Sequence, residues 1–130
     1  MAKPLSPQLL ELVAERFRVL ADPGSLQLLS ALQEGEQTVT ELIERTGFRQ
    51  AKVSKHLQLL YNLGFVDRCK EGLHVYYRLA TEDVFLLCDI MRRRLQLEAA
   101  RRQEVLEELA SVGAEDPTPA EAELSVKPWK

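Results

Sequence analysis

The stretch TGFRQAKVSKHL, residues 46–57, brings together side chains that could bind a polyanion. It supplies three cations, an amide and a hydroxyl group, on Arg49, Lys52, Lys55, Gln50 and Ser54. Cationic groups neutralise phosphates, whereas amide and hydroxyl groups can hydrogen-bond to the edges of bases. A solvated helix face can carry the same charges without binding anything, so the neighbouring elements must decide between the two interpretations.

An α-helical repeat divides this stretch into an apolar and a polar face. If Val53 faces inward, a rotation of about 100° per residue brings Leu57 and Leu60 to the same side, flanked by His56. The opposite side carries small or hydrogen-bonding groups, on Ala51, Ser54, Lys55, Gln58 and Asn62, with Lys52 at the edge. The helix is therefore predicted to pack on a core through one face and to leave the other free to enter a groove.

Positive charge is concentrated in the centre of an acidic chain. The 130 residues have a net charge of −3 and a pI near 5.5. Residues 45–78 contain seven Lys and Arg but only two carboxylates, so this segment has a net charge of +5. A polyanion could therefore bind locally. No apolar run approaches the roughly 20 residues of a membrane helix, and we expect a cytoplasmic protein that does not contact a membrane.

Helix-start signals predict two helices ahead of the basic segment. Ser6 before Pro7 begins the first, and Asp22 before Pro23 begins the second, which is expected to run to about Glu34. Proline suits the first position of a helix, and the residue before it is held extended, as an N-cap must be.

Two further short helices predict a helix-turn-helix. Thr38 and Glu41 form a capping box for the third helix, and Gly47 ends it. The polar stretch then begins a fourth helix, which ends at Gly64. Two short helices joined by a turn that contains glycine are typical of a helix-turn-helix.

A β-hairpin is predicted after the fourth helix. The β-prone runs at about 65–70 and 74–79 are separated by Glu-Gly-Leu, in which glycine can adopt the positive φ of a tight turn. This hairpin, the wing, carries the basic residues Arg68, Lys70 and His74.

A long helix is predicted from a cap at Thr81 to about Ser111. Its apolar stripe and that of the first helix are expected to form a dimer interface, through Leu9, Val13, Phe17, Val84, Cys88, Met91 and Leu95. Packing within one chain is the alternative explanation of the stripe. We predict one domain over residues 6–111, followed at 112–130 by a flexible acidic tail rich in Pro and Ala.

Three parts of the chain carry a recognisable order of motifs: RVLADPGSLQLLSAL (18–32), TELIERTGFRQAKVSKHLQLLYNLGFVDRCKEGLHVYYRL (40–79) and the long helix. The second part contains Q-x-x-V-S-x-H-L, then L-G-F-V, then E-G with Y-x-L. In this order and spacing the chain resembles the ArsR/SmtB family of bacterial winged-helix transcriptional repressors over roughly residues 10–100.

The resemblance implies a mainly α fold with a small β-hairpin, a winged helix-turn-helix whose N- and C-terminal helices form a homodimer. Such a dimer places its recognition helices in successive major grooves of an imperfect palindrome, so the implied partner is a double-stranded DNA operator. The implied groove-facing residues are Gln50, Lys52, Ser54 and Lys55, with the wing on the DNA backbone. Arg49 stands where the family usually has a serine-like N-cap, and Ala51 stands where the family often has a hydroxyl group.

The family's metal sites have no counterpart in the sequence. Those sites use a Cys-x-Cys beside the helix at 39–46, or carboxylate and histidine ligands on the last helix. QTVTEL contains no cysteine, and no histidine follows Thr81. We therefore predict no metal and no cofactor.

Two alternative functions stay open at this point, and an enzyme is not expected because no motif suggests a catalytic set. A winged helix can serve as a protein-interaction module, since fold does not determine function. A redox-responsive repressor could use Cys69 in the wing and Cys88 in the last helix, where oxidation would act on DNA contact or subunit geometry. Two ordinary cysteines are the simpler explanation.

Overall fold

The computed structural model describes residues 3–112. The chain divides into two compact units, with the boundary along the sequence between Glu82 and Asp83. The first unit contains four helices and three strands, α1 Pro7–Leu20, α2 Pro23–Leu32, β1 Gln37–Thr38, α3 Val39–Thr46, α4 Gln50–Asn62, β2 Val66–Glu71 and β3 His74–Leu79. In the described part of the second unit the chain forms one helix, α5 Asp83–Ser111.

The first two helices begin where their caps predict. The Ser6 hydroxyl accepts a hydrogen bond from the Leu9 N–H at 3.2 Å, and Asp22 Oδ1 accepts from the Gly24 N–H at 2.8 Å. Each bond satisfies a backbone donor that has no partner within the helix. Helix α2 ends at Leu32, two residues before the predicted end.

The capping box and the turn of the helix-turn-helix are confirmed. Glu41 N–H donates to Thr38 Oγ1 at 3.2 Å, and Thr38 N–H donates to Glu41 Oε1 at 2.9 Å. Gly47 has a φ of 73°, in the left-handed region that a residue with a Cβ rarely adopts. Arg49 occupies the N-cap position of α4 without a side-chain capping bond.

The wing belongs to a three-stranded antiparallel sheet in the order β1-β3-β2. Its two long strands pair from Val66↔Leu79 to Glu71↔His74, so β2 begins one residue after its predicted start. Strand β1 pairs Gln37 with Tyr77. Strand β1 is not predicted from the sequence, because two residues are too few to show an alternation of apolar and polar side chains.

The core of the first unit lies where α2, α3, α4 and the sheet meet. Its fully buried apolar side chains are Leu28, Leu29, Leu32, Leu42, Val53, Leu57, Leu60 and Val66. The buried Gln37 side chain donates to the Ala31 carbonyl at 2.6 Å, which attaches β1 to the end of α2. The core therefore holds both α4 and the base of the wing.

Helix α5 begins at Asp83, one residue later than a cap at Thr81 predicts, and it ends at Ser111, as predicted. Most of its apolar side chains are exposed, with Met91 62% and Leu95 65% accessible. The predicted tail lies outside the described residues from 113 onward. Within residues 3–112, no helix is both long and apolar enough to cross a membrane.

Truncation of Leu57 to alanine tests the core. Leu57 is fully buried, so Leu57→Ala is expected to lower the free energy of unfolding by about 2–5 kcal/mol through lost burial and a residual cavity. Leu73→Ala is the matched control because Leu73 is 97% exposed. Urea unfolding at one protein concentration measures both variants, and equal losses would contradict this core assignment.

Candidate nucleic-acid interface

The two faces of α4 are as the helical repeat predicts. Val53, Leu57 and Leu60 are fully buried, and His56 is 8% exposed. The opposite face is exposed, at Ala51, Ser54, Lys55, Gln58 and Asn62. Gln50 and Arg49, at the start of the helix, are also exposed. The packing of one face thus determines which side chains α4 offers to a partner.

A buried polar contact joins α4 to α2. The Ser25 hydroxyl and His56 Nδ1 lie 3.2 Å apart, and His56 Nε2 lies 3.7 Å from Asp22 Oδ2. Serine, histidine and aspartate are the residue types of a hydrolase triad, but Ser25 is fully buried, so a substrate could not reach its oxygen. The contact instead gives the buried His56 ring a hydrogen-bond partner at the interface of α2 and α4. His56 lies beside the buried face of α4, as the helical repeat predicts.

The Lys52 side chain extends from the first turn of α4 towards Phe48 and helix α2. Its Nζ lies 3.9 Å from the centroid of the Phe48 ring, a cation–π distance. Lys52 is exposed, and its stem approaches Gly24 of α2, where an added Cβ would lie 3.1 Å from Lys52 Cε. Of the predicted groove-facing residues, Lys52 therefore lies at the edge next to α2.

Arg68 is engaged by α4. Its Cζ lies 3.9 Å from the centroid of the Tyr61 ring, and Nη1 donates to Gln58 Oε1 at 3.3 Å. The sequence predicts that Arg68 neutralises DNA phosphates, and no local pattern points to Tyr61. Only the spacing of strand and helix in three dimensions brings these residues together.

The rest of the wing is open. Lys70 and His74 are exposed on β2 and β3, and the His74 ring makes an edge contact with Tyr76 at 6.4 Å between centroids. Gly72 has a φ of 62° at the turn, which leaves Leu73 at the tip 97% exposed. The wing therefore presents basic side chains beside the polar face of α4.

The predicted interface residues differ in exposure. Leu9 is 43% and Phe17 52% exposed on α1, with Val13 half-buried, and Met91, Leu95 and Cys88 are exposed on α5. Val84 is 2% exposed, so it has little surface left to bury against a partner. Both cysteines, Cys69 and Cys88, are exposed free thiols, and their use as a redox switch remains a prediction.

In the part of the chain that the structure describes, no three His, Cys, Asp or Glu side chains lie close enough together to hold a metal ion. The side chains available on α4 and the wing suit hydrogen bonding and phosphate neutralisation.

Comparison with known proteins identifies the family. A family model described as bacterial regulatory protein, arsR family, matches residues 22–68. The transcriptional regulator NmtR of Mycobacterium tuberculosis is 37% identical over 86 residues, which cover 66% of this chain and 72% of NmtR. The chain belongs to the ArsR family.

Other ArsR-family relatives agree in sequence and fold. A probable mercury resistance operon repressor of Streptomyces lividans is 41% identical over 64 residues, 49% of this chain, and the match spans only 51% of that repressor. The homodimeric winged helix-turn-helix DNA-binding domain of a possible ArsR-family regulator from Mycobacterium bovis is 34% identical. It superposes with a TM-score of 0.60 over 74% of this chain and 91% of that domain. The predicted winged helix-turn-helix fold is confirmed.

Removal of the Ser25 hydroxyl tests the contact between α2 and α4. Ser25→Ala is expected to lower the free energy of unfolding by about 1–3 kcal/mol, because the buried His56 ring loses its hydrogen-bond partner. Ser30→Ala, at an exposed serine of the same helix, gains the same helix propensity and serves as control. Thermal or urea unfolding compares the two. A Ser25→Ala variant as stable as the Ser30→Ala variant would contradict the role of this hydrogen bond.

Proposed function

We propose that this protein is a homodimeric transcriptional repressor that binds an imperfect palindrome in double-stranded DNA. The observation that supports this most strongly is the exposed polar face of α4, held opposite a fully buried apolar face and next to a cationic wing. A helix of this kind fits the major groove, and the wing then lies near the DNA backbone. The net charge of +5 over residues 45–78 favours a polyanionic partner, whereas a protein-interaction module would be expected to present an apolar or acidic groove-facing surface of its own.

The polar side chains divide into two roles. Gln50 and Ser54 read base edges by hydrogen bonding, because amide and hydroxyl groups distinguish the donor and acceptor patterns of the major groove. Arg49, Lys52, Lys55, Lys70 and His74 contribute to phosphate contacts, which supply affinity and its salt dependence but little sequence information.

A second copy of the chain covers the apolar side chains of α1 and α5. Phe17 is 52% and Leu95 65% exposed, and large apolar side chains in such number mark an interaction surface. The Mycobacterium bovis neighbour is a homodimer. We include Leu9, Val13, Cys88 and Met91 in this interface and leave out Val84, whose side chain is already covered.

The proposed repressor works without the metal sites of the family. QTVTEL at the start of α3 lacks cysteine, and residues from Thr81 onward lack histidine, so borderline cations would find no imidazole or thiolate set there. Because its proposed ligand is operator DNA, we expect the protein to work in the cytoplasm and without an enzymatic activity.

Selection from random double-stranded DNA tests the function and identifies an operator. We expect enriched sequences with two half-sites about 10–10.5 base pairs apart, one for each recognition helix. Lys55→Ala should weaken binding to the operator and to random DNA alike, and it should reduce the salt slope by about 0.9 for each subunit, roughly 1.8 for the dimer. Gln50→Ala should cost about 1–3 kcal/mol on the operator and little on random DNA.

Gel-shift titrations over a salt series measure both variants. Equal losses on both DNAs for both variants would refute the division of roles. A wild-type protein without salt-dependent DNA binding would instead favour a winged-helix protein-interaction module.

A charge in the α5 stripe tests the dimer. Leu95→Glu should place a carboxylate in the interface, dissociate the subunits and greatly reduce operator affinity. Gln96→Glu introduces the same charge at the next position, 100° around the helix and outside the stripe, and should stay dimeric. Sedimentation velocity distinguishes the two variants, and a dimeric Leu95→Glu protein would exclude this interface.

A further inference from the structure

One guanidinium group connects the wing to the recognition helix. Arg68 lies on β2, yet its side chain stacks on Tyr61 at 3.9 Å and donates to Gln58 Oε1 at 3.3 Å. Tyr61 and Gln58 are three residues apart, so they are neighbours on one face of α4. A single planar group thus contacts two successive turns of the helix.

The hydrogen-bond acceptor on the helix is itself held in place. Gln58 Nε2 donates to Asn62 Oδ1 at 2.9 Å, one turn further along α4. With the amide nitrogen engaged by Asn62, the amide oxygen is directed to Arg68. The network Arg68–Gln58–Asn62 therefore has a defined orientation, one turn after the predicted base-reading residue Ser54.

Of the contacts between the wing and α4, the one made by Arg68 lies nearest the tip of the wing. The base of the wing is anchored by buried Val66 and Tyr77. Among the described residues, no hydrogen bond, ion pair or ring contact links positions 69–75 to α4. Arg68 is therefore the last residue along β2 that joins the wing to α4 by a hydrogen bond or a ring contact.

We infer that Arg68 is a positioning residue, which holds the wing against α4 and so places Lys70, on the same face of β2, to contact the DNA backbone when α4 occupies the groove. The inference rests on the proposed function, and it replaces the phosphate-neutralising role predicted for Arg68 from sequence. Arg68 then contributes to affinity through the placement of other cations.

Arginine and an aromatic ring are both required for this contact. The guanidinium is planar, so it stacks on Tyr61 while an edge N–H reaches Gln58. A lysine keeps the charge but lacks the planar stack and the fork of donors. Tyr61→Phe keeps the ring face, whereas Tyr61→Leu removes it.

Salt-dependent binding separates positioning from phosphate contact. Arg68→Ala is expected to weaken operator binding about tenfold while the salt slope stays at the wild-type value, because Lys70 still contacts the backbone in the complex but binding must now order a wing that is no longer tethered. Arg68→Lys should be equally weak. Lys70→Ala is the matched control, because Lys70 lies two residues along the same strand and on the same face. Its loss should reduce the slope by about 0.9 for each subunit, roughly 1.8 for the dimer.

Backbone ¹⁵N relaxation of the free, full-length protein tests the tether without DNA. Order parameters at residues 69–75 should fall in Arg68→Ala and in Tyr61→Leu, because the wing tip loses its contact with α4. They should be unchanged in Tyr61→Phe and in Lys70→Ala.

A reduced salt slope in Arg68→Ala, with recovery in Arg68→Lys, would identify a direct phosphate contact and overturn the inference. Unchanged wing order parameters in Arg68→Ala would overturn it as well. Failure of the proposed function would appear differently, as a wild-type protein that does not bind DNA. In that case the relaxation of the free protein would still show whether Arg68 holds the wing.

Discussion

The burial of one face of α4 against α2 and the core is the constraint on which the rest of the molecule depends. Val53, Leu57 and Leu60 are fully buried, and the Ser25–His56 contact adds a polar tie at the same interface. A rotation of α4 by one residue, about 100°, would bury a polar side chain and expose an apolar one. The identity of the outward face therefore follows from the packing of the inward face.

The wing is also held by this core, through strands β3 and β1. Strand β3 lies between β1 and β2, and its Tyr77 is buried. The two residues of β1 are attached to α2 through the Gln37 side chain. An isolated two-stranded hairpin is marginally stable in water, so the third strand and the core give the wing its support.

The positive charge of residues 45–78 does not by itself show where each cation is presented on α4 and the wing. The basic segment was recognisable from composition, and the exposed positions of Arg49, Lys55 and Lys70 agree with it. Lys52 and Arg68 have the same charge, yet their side chains lie against Phe48 and Tyr61. Stacking on a ring preserves the charge but limits where it can be presented, so cations that look equivalent in sequence differ in the structure.

The sequence by itself determined the capped starts of the first three helices, the two faces of α4, the wing and the ArsR-family resemblance. Caps such as Thr38–Glu41 join residues three apart, so their spacing along the chain is sufficient to predict them. Only the tertiary structure revealed the contacts Ser25–His56 and Arg68–Gln58, which join residues 31 and 10 positions apart, and the strand β1. Such contacts depend on how separate elements pack in space, and no local pattern of residues encodes that distance.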